Sequence, residues 1–131
     1  MVDIGLAGFT ALVIDDNDFI RLTLKKDLGA LGFTDVYEAI NGMEALTQLE
    51  RKPDIIICDI NMEPLNGFEF VKHVRALNPP ASKVPIIFLT GDAHKDSVHE
   101  AISLSIDGYL LKPVTQEKLK SKLTALLSAK K

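Results

Sequence analysis

The 131-residue sequence lacks the features that mark secreted and membrane proteins. It has a single cysteine, so an internal disulfide is impossible, and the position of Cys58 in an apolar run predicts a small core residue rather than a reactive thiol. No apolar run reaches the roughly 18 residues of a membrane-spanning helix, and no basic segment precedes an apolar one at the amino terminus. We therefore expect no membrane association, no export signal and a cytoplasmic location.

An excess of positive charge is also absent. The chain has 15 Lys and Arg residues against 18 Asp and Glu residues, which gives a net charge of −3. A surface that neutralises nucleic-acid phosphates needs the opposite balance, so direct binding to DNA or RNA is not expected. The length suits one hydrophobic core and is too short for two domains of about 100 residues each. We predict a single domain over residues 1–131, with its core elements within about 9–129.

The sequence does contain a regular alternation of two kinds of segment. Short apolar runs typical of buried strands alternate with longer segments whose apolar residues recur every three or four positions, as in amphipathic helices. Five such units in succession predict an α/β fold, a doubly wound (βα)5 domain with a five-stranded parallel sheet. The predicted strands lie at 11–14, 36–37, 55–58, 86–89 and 109–111.

The helices between these strands are predicted from their caps and apolar stripes. Asp18 is the expected cap of the first helix, and Thr115 that of the fifth. Met43 in the second helix and Leu77 in the third are predicted to face the core. The fourth helix, around Ile102, has small and polar residues on its inner side and is expected to be less well anchored.

Polar residues follow four of the five predicted strands, and parallel strands place them at one edge of the sheet. They are Asp15 and Asp16, Asp59, Thr90 and Lys112. Ligands of such sheets bind beyond the carboxyl ends of the strands. Each aspartate alone is typical of a helix cap or loop, but the full set predicts a binding site.

Three carboxylates in one small volume repel each other and need positive charge nearby. Two unit charges about 4 Å apart interact by roughly 1 to 4 kcal/mol between bulk-water and near-surface dielectrics. A lysine supplies one positive charge, and a hard divalent cation with oxygen ligands, Mg²⁺ or Mn²⁺, supplies more. A carboxylate can also attack phosphorus, and phosphoryl transfer needs mainly positioning and charge neutralisation. The set therefore favours chemistry on a phosphoryl group.

Four segments together resemble the signatures of response-regulator receiver domains, in the same order and at similar intervals. The resemblance extends from about Leu6 to the end of the chain and is greatest to stand-alone receivers of the chemotaxis-regulator type. It implies the flavodoxin-like strand order 2-1-3-4-5. The four segments are Leu12-Val13-Ile14-Asp15-Asp16, Ile57-Cys58-Asp59-Ile60-Asn61-Met62, Phe88-Leu89-Thr90-Gly91 and Tyr109-Leu110-Leu111-Lys112-Pro113.

The resemblance implies a signalling switch of a two-component phosphorelay rather than a turnover enzyme. Asp59 would accept a phosphoryl group from the phosphohistidine of a histidine kinase or phosphotransfer protein. Asp16, Asp59 and the backbone carbonyl of Asn61 would bind the metal directly, and Asp15 would act through water. A downstream protein would receive the signal in trans, and a phosphorylation-dependent dimer is a further expectation.

The same resemblance assigns the switch residues. Lys112 would pair with the acceptor carboxylate and then with the phosphoryl oxygens, and a cis bond to Pro113 would orient it. Thr90 would move inward to donate its hydroxyl, and Tyr109 would follow. The face formed by the fourth helix, fifth strand and fifth helix would then change. Tyr109 is equally compatible with a core aromatic that exposes its hydroxyl. For Thr90 the alternative of an ordinary strand end is disfavoured, because Gly91 follows and leaves room for the loop to move.

Two places depart from the family pattern or vary within it. The segment Glu63-Pro64-Leu65-Asn66-Gly67 shifts the usual proline by one position and has Asn66 where an aspartate is usual, so the loop geometry there is less certain. Asn61 and Asp92 occupy positions that vary with the rate of acyl-phosphate hydrolysis. They are equally compatible with solvated loop residues.

Two other functions share part of this pattern. The segment Asp16-Asn17-Asp18 resembles the nucleophile motif of haloacid-dehalogenase-like phosphatases, but Phe19 and Ile20 stand where that family needs a hydroxyl or small residue. A flavodoxin-like binding module would share the sheet order, but its first loop should offer glycines and hydroxyls instead of carboxylates. A receiver that only acts as a scaffold is disfavoured by the complete acidic set.

Overall fold

A computed structural model describes residues 6–91 and 106–127 of the chain. Its five strands are all parallel and lie in the order β2-β1-β3-β4-β5, which confirms the predicted flavodoxin-like sheet. Each predicted strand is present, extended by at most two residues at either end. The strands are β1 (Thr10–Ile14), β2 (Asp35–Ala39), β3 (Ile55–Asp59), β4 (Ile86–Thr90) and β5 (Gly108–Leu111).

Four α-helices accompany the sheet within these ranges. The helix predicted as the fifth is α4 here, since the predicted fourth helix around Ile102 lies outside the described residues. None of the described helices is long and apolar enough to span a membrane. The helices are α1 (Asp18–Ala30), α2 (Gly42–Gln48), α3 (Gly67–Arg75) and α4 (Gln116–Leu127), with short 3₁₀ turns at Leu49–Arg51 and Ala81–Lys83.

The sheet separates two hydrophobic cores, because alternate residues of a strand face opposite sides. Leu12 and Ile14 of β1 face the core beneath α2 and α3, which also contains the buried Phe70. Ala11 and Val13 face the core beneath α1 and α4. β3 and β4 are buried along their whole length, as continuous apolar runs predict. Helices therefore cover both faces, and the strand ends are left free to form a site.

Three local predictions were wrong. The side chain of Asn17, not Asp18, caps α1 by accepting a hydrogen bond from the Ile20 amide at 3.0 Å. Met43 is 55% exposed, because the buried face of α2 consists of Gly42 and Ala45, and Met43 lies between them on the turn. Leu77 is 42% exposed, because α3 ends at Arg75 and the apolar stripe ends with it.

The cap predicted for the last helix is confirmed. The hydroxyl of Thr115 accepts a hydrogen bond from the Lys118 amide at 3.1 Å, and α4 begins at the next residue, Gln116. Leu119 and Leu123 of the predicted stripe are fully buried. This helix packs firmly on the sheet directly after the loop that contains Lys112.

Candidate functional site

The carboxyl edge of the sheet brings the predicted polar residues together. Asp59 is the last residue of β3, Thr90 ends β4, and Asp15 and Lys112 directly follow β1 and β5. Asp15 and Thr90 are buried, and Asp59 is only 5% exposed. The ammonium nitrogen of Lys112 lies 2.9 Å from Oδ2 of Asp15 and 3.3 Å from Oδ1 of Asp59. One lysine thus forms ion pairs with carboxylates from two neighbouring strands.

A third carboxylate completes an acidic cluster. Oxygen atoms of Asp15, Asp16 and Asp59 all lie within 4.8 Å of one another, and Asp16 is the exposed member. Lys112 balances only one of these three negative charges, so repulsion persists in a largely buried place. An open cavity of about 410 Å³ adjoins Asp16 and is also lined by Asn61. Oxygen ligands, excess negative charge and room for water fit Mg²⁺ or Mn²⁺.

The electrostatics of the cluster show in the pKa values. Burial raises the pKa of Asp59, the charge of Asp15 raises it further, and the opposing effect of Lys112 does not cancel them. Burial by itself lowers the pKa of Lys112, but its contact with Asp15 and the charge of Asp59 outweigh this, so the pKa is raised overall. Lys112 therefore stays charged, while Asp59 holds its negative charge less easily than an ordinary carboxyl group.

The loop from β1 to α1 fixes Asp15 through both its side chain and its main chain. The amide of Asp15 donates to the carbonyl of Ala39 at 3.1 Å, and Oδ1 of Asp15 accepts a hydrogen bond from the Asn17 amide at 2.9 Å. Its carbonyl accepts one from Arg21 at 2.6 Å. Sequence reasoning missed Arg21, since its contact is with a main-chain atom, which leaves no pattern in the sequence.

The loop from β3 to α3 is held close to Asp59 by a glycine. A Cβ atom on Gly67 would lie 2.7 Å from the main-chain oxygen of Asp59, and the Gly67 amide donates to Ile60 at 2.8 Å. Asn66, which replaces the usual aspartate, still caps α3 in a reciprocal capping box with Glu69. The departure from the family pattern therefore leaves the helix start intact.

The predicted switch residues occupy different environments. Thr90 is buried, and its carbonyl accepts a hydrogen bond from the Lys112 amide at 2.8 Å, which connects the ends of β4 and β5. Tyr109 is 37% exposed on the outer strand, so it is not a buried core residue. The bond between Lys112 and Pro113 is cis, as the resemblance implied. Asp92 lies outside the described residues.

Comparisons with known proteins agree with this geometry. The family model for the response regulator receiver domain matches residues 11–124. Chemotaxis protein CheY1 of Helicobacter pylori J99 is 39% identical over 118 residues, which cover 88% of this chain and 94% of that protein. The chemotaxis protein CheY homolog of Campylobacter jejuni 81-176 is also 39% identical, over 88% of this chain and 90% of that protein.

Solved structures show the same likeness. Vibrio cholerae CheY4 has a TM-score of 0.84 and 34% identity, and the match covers 92% of this chain and all of that one. The receiver domain of a sensor histidine kinase from Pseudomonas aeruginosa PAO1 has a TM-score of 0.83 and 27% identity, over 92% and 98% of the two chains. That structure has a magnesium ion coordinated in its active-site cleft.

Proposed function

The chain belongs to the response regulator receiver domain family of two-component signalling, and we propose that it is a phospho-accepting switch with Asp59 as the acceptor. The observation that carries the proposal is the placement of Asp59 at the end of β3, beside Lys112 and within 4.8 Å of two further carboxylates. Residues 9–129 form the receiver core in this proposal. Its cycle of loading and loss makes it a signalling module rather than a turnover enzyme.

The proposed reaction is a transfer between a histidine nitrogen and a carboxylate oxygen. A carboxylate oxygen of Asp59 attacks the phosphorus of a phosphohistidine, and the bond from phosphorus to nitrogen breaks. Its electron pair stays on the imidazole nitrogen, which then takes up a proton. The product is an acyl phosphate on Asp59, and water later hydrolyses it to the free carboxylate and inorganic phosphate. Lys112 neutralises charge on the phosphoryl oxygens.

The acidic cluster is proposed to hold Mg²⁺ or Mn²⁺. Asp16, Asp59 and the backbone carbonyl of Asn61 would bind it directly, and Asp15 would act through water. When bound, the ion neutralises oxygen charge and orients the phosphoryl group. Lys112 keeps the acceptor carboxylate in place through its ion pair with Asp59, and Asp15 holds Lys112 there through a second ion pair.

The signal is proposed to pass from Asp59 to a protein surface. The phosphoryl group brings new charge and acceptor oxygens, which favour the conformation that places the Thr90 hydroxyl against them. Lys112 turns to the same oxygens, and Tyr109 follows Thr90 inward. This changes the face formed by the predicted fourth helix, β5 and α4. Asn61 and Asp92 are proposed to modulate how fast the acyl phosphate is hydrolysed.

The proposed phosphodonor is a histidine kinase or a phosphotransfer protein. The exposed apolar side chain of Phe19, in the first turn of α1, lines a cavity of about 350 Å³ with Lys112 and Pro113, and Leu22 of the same helix is also exposed. This surface offers a donor protein access to the site. The similarity to CheY proteins supports a chemotaxis-type pathway with a downstream protein target in trans and a cytoplasmic location. A phosphorylation-dependent dimer is part of the proposal.

Labelling with a small phosphodonor tests the acceptor. In the presence of Mg²⁺, wild-type protein should take up one hydroxylamine-labile phosphate per chain, and Asp59→Asn should take up none. The control Asp35→Asn removes an exposed carboxylate at the start of β2 and should label like the wild type. Equal labelling of Asp59→Asn would contradict the proposal. Steady phosphate release from a phosphomonoester would instead favour the phosphatase with Asp16 as nucleophile, and bound flavin would favour the flavodoxin-like module.

A further inference from the structure

The side chain of Arg21 connects three elements around the acidic cluster. It is only 12% exposed, and its Nη1 donates to the main-chain carbonyl of Asp15 at 2.6 Å. Its Nε donates to Oε1 of Glu38 on β2 at 3.2 Å, and its Nη2 forms an ion pair with Asp18 in the first turn of α1. A planar guanidinium can bind three partners in fixed directions, which a lysine cannot.

The contact with the carbonyl of Asp15 lies at the point where the chain leaves β1 and enters the cluster. Asp15 also forms an ion pair with Lys112 through Oδ2, and Asp16 is the next residue of the chain. Repulsion among the carboxylates acts to push this loop away from Asp59. The bond from Arg21 opposes that movement, because it anchors the main chain between α1 and β2.

We propose that Arg21 is a positioning residue for the divalent-cation site: its bond to the Asp15 carbonyl holds the carboxylates of Asp15 and Asp16 in the arrangement that binds the ion, and Glu38 holds Arg21 in place. The inference rests on the proposed function, because it assumes that the cluster binds Mg²⁺. Outer partners of metal ligands commonly contribute strongly to metal affinity by fixing ligand orientation.

The sign of the effect separates positioning from simple electrostatics. Arg21 is positively charged, so its charge alone repels Mg²⁺, and its removal would strengthen binding. A positioning role requires the opposite result. The substitution Arg21→Lys keeps the charge and removes the fork that contacts three partners at once, so it isolates the geometric contribution.

The chain offers a matched control in Lys25. Its ammonium group lies 3.3 Å from Oε2 of Glu38, the same carboxylate that binds Arg21, and it is 53% exposed. No hydrogen bond or ion pair recorded among the described residues connects Lys25 to the loop of Asp15. The variant Lys25→Gln therefore removes an ion pair to Glu38 and leaves the proposed anchor intact.

Calorimetric titration of the full chain with Mg²⁺ at neutral pH tests the proposal. We expect Arg21→Lys to weaken Mg²⁺ binding by about tenfold, Glu38→Gln to weaken it less, and Lys25→Gln to leave it unchanged. The double variant Arg21→Lys with Glu38→Gln should bind like Arg21→Lys alone, because Glu38 acts through Arg21. The amide resonance of Asn17, which reports its bond to Asp15, should shift in Arg21→Lys and not in Lys25→Gln.

The possible results distinguish this inference from the proposed function. Unchanged Mg²⁺ affinity in Arg21→Lys, with wild-type phosphorylation and urea unfolding that shows a folded protein, would overturn the inference alone. An equal loss in Lys25→Gln would also overturn it, because the loss of any ion pair to Glu38 would then be enough to weaken binding, without the bond to the Asp15 carbonyl. If Arg21→Lys does not fold, unchanged affinity in Glu38→Gln overturns the inference. A wild type that neither binds Mg²⁺ nor takes up phosphate would contradict the proposed function itself.

Discussion

Two aspartates lie at opposite ends of β3, and their surroundings differ in kind. Asp54, just before the strand, accepts hydrogen bonds from the amide of Thr10 at 2.8 Å and from its hydroxyl at 3.2 Å. Asp59, at the other end, has Asp15 and Asp16 as neighbours, and among the described residues Lys112 is its one positive partner. The amino edge therefore uses its carboxylate to connect β1 to β3, whereas the carboxyl edge assembles carboxylates that repel one another.

This difference shows how a fold prepares a site. A carboxylate that accepts hydrogen bonds from the protein's own donors stabilises the chain and has little capacity left for a ligand. A carboxylate placed among other carboxylates destabilises the chain and keeps its oxygens available for a cation or a phosphoryl group. The predictions below test this contrast between Asp54 and Asp59, from the largest expected effect to the smallest.

Removal of the metal should have the largest effect. With a chelator present, labelling of the wild type by a small phosphodonor should fall to background, because Lys112, the one cation that the described residues bring to the acidic cluster, balances a single carboxylate. Asp54→Asn, measured with Mg²⁺ present, should label normally, since Asp54 lies at the opposite edge. Full labelling in the chelator would show that the carboxyl edge does not depend on a divalent ion.

A methyl group at Gly67 should disturb the carboxyl edge through packing. Gly67→Ala places a Cβ atom 2.7 Å from the carbonyl of Asp59, so the free energy of unfolding should fall by about 2 kcal/mol. Gly29→Ala in α1 meets nothing within 4 Å and should leave stability equal or raise it by up to about 1 kcal/mol. Urea unfolding measures both. Equal stability of the two variants would contradict the close packing at Asp59.

Replacement of the two aspartates should change stability in opposite directions. Without metal, Asp54→Asn should lower the free energy of unfolding by about 1 to 2 kcal/mol, because it weakens the bonds to Thr10. Asp59→Asn should raise the free energy of unfolding, because the pKa of Asp59 is raised by burial and by Asp15, so its charged form is disfavoured in the folded state. Matched denaturant curves at neutral pH measure both. A loss of stability in Asp59→Asn would contradict the contrast.

The pH dependence should be the smallest effect. The folded state holds the proton of Asp59 more tightly than the unfolded state, so without metal the contribution of Asp59 to stability grows as the pH falls through its raised pKa. Mg²⁺ binds the charged carboxylate, so the affinity of the site for Mg²⁺ should decline as the pH falls through the same range. The decline should begin at a higher pH than it would at a site with an ordinary aspartate. Titrations with Mg²⁺ between neutral and mildly acid pH measure this. Constant affinity through that range would contradict the raised pKa.

The sequence predicted the sheet and the candidate site well because both depend on strong local patterns. The run from Ile55 to Cys58 in β3 is apolar throughout, as expected of a strand that is covered on both faces, and a polar residue directly after such a run lies at the carboxyl edge of the sheet. The errors arose where a pattern was short or ambiguous. Met43 belongs to a helix of seven residues, and Asn17 competed with Asp18 for the same cap.

Contacts between distant segments could not be predicted in the same way. Arg21 donates hydrogen bonds to the main-chain oxygen of Asp15 and to the carboxylate of Glu38 on β2, the strand beside β1. Neither contact has a characteristic spacing, because each depends on how the β1–α1 loop turns. Only the folded chain shows that Arg21 lies beside the site.

The identity of the phosphorylated residue is the most direct test of the account. Wild-type protein would be labelled with a small phosphodonor in Mg²⁺, reduced with borohydride to convert an aspartyl phosphate into homoserine, and digested for peptide mass spectrometry. The account predicts homoserine at Asp59 and at no other aspartate of the site. Modification at Asp15 or Asp16, or phosphate on a hydroxyl or histidine residue, would contradict it.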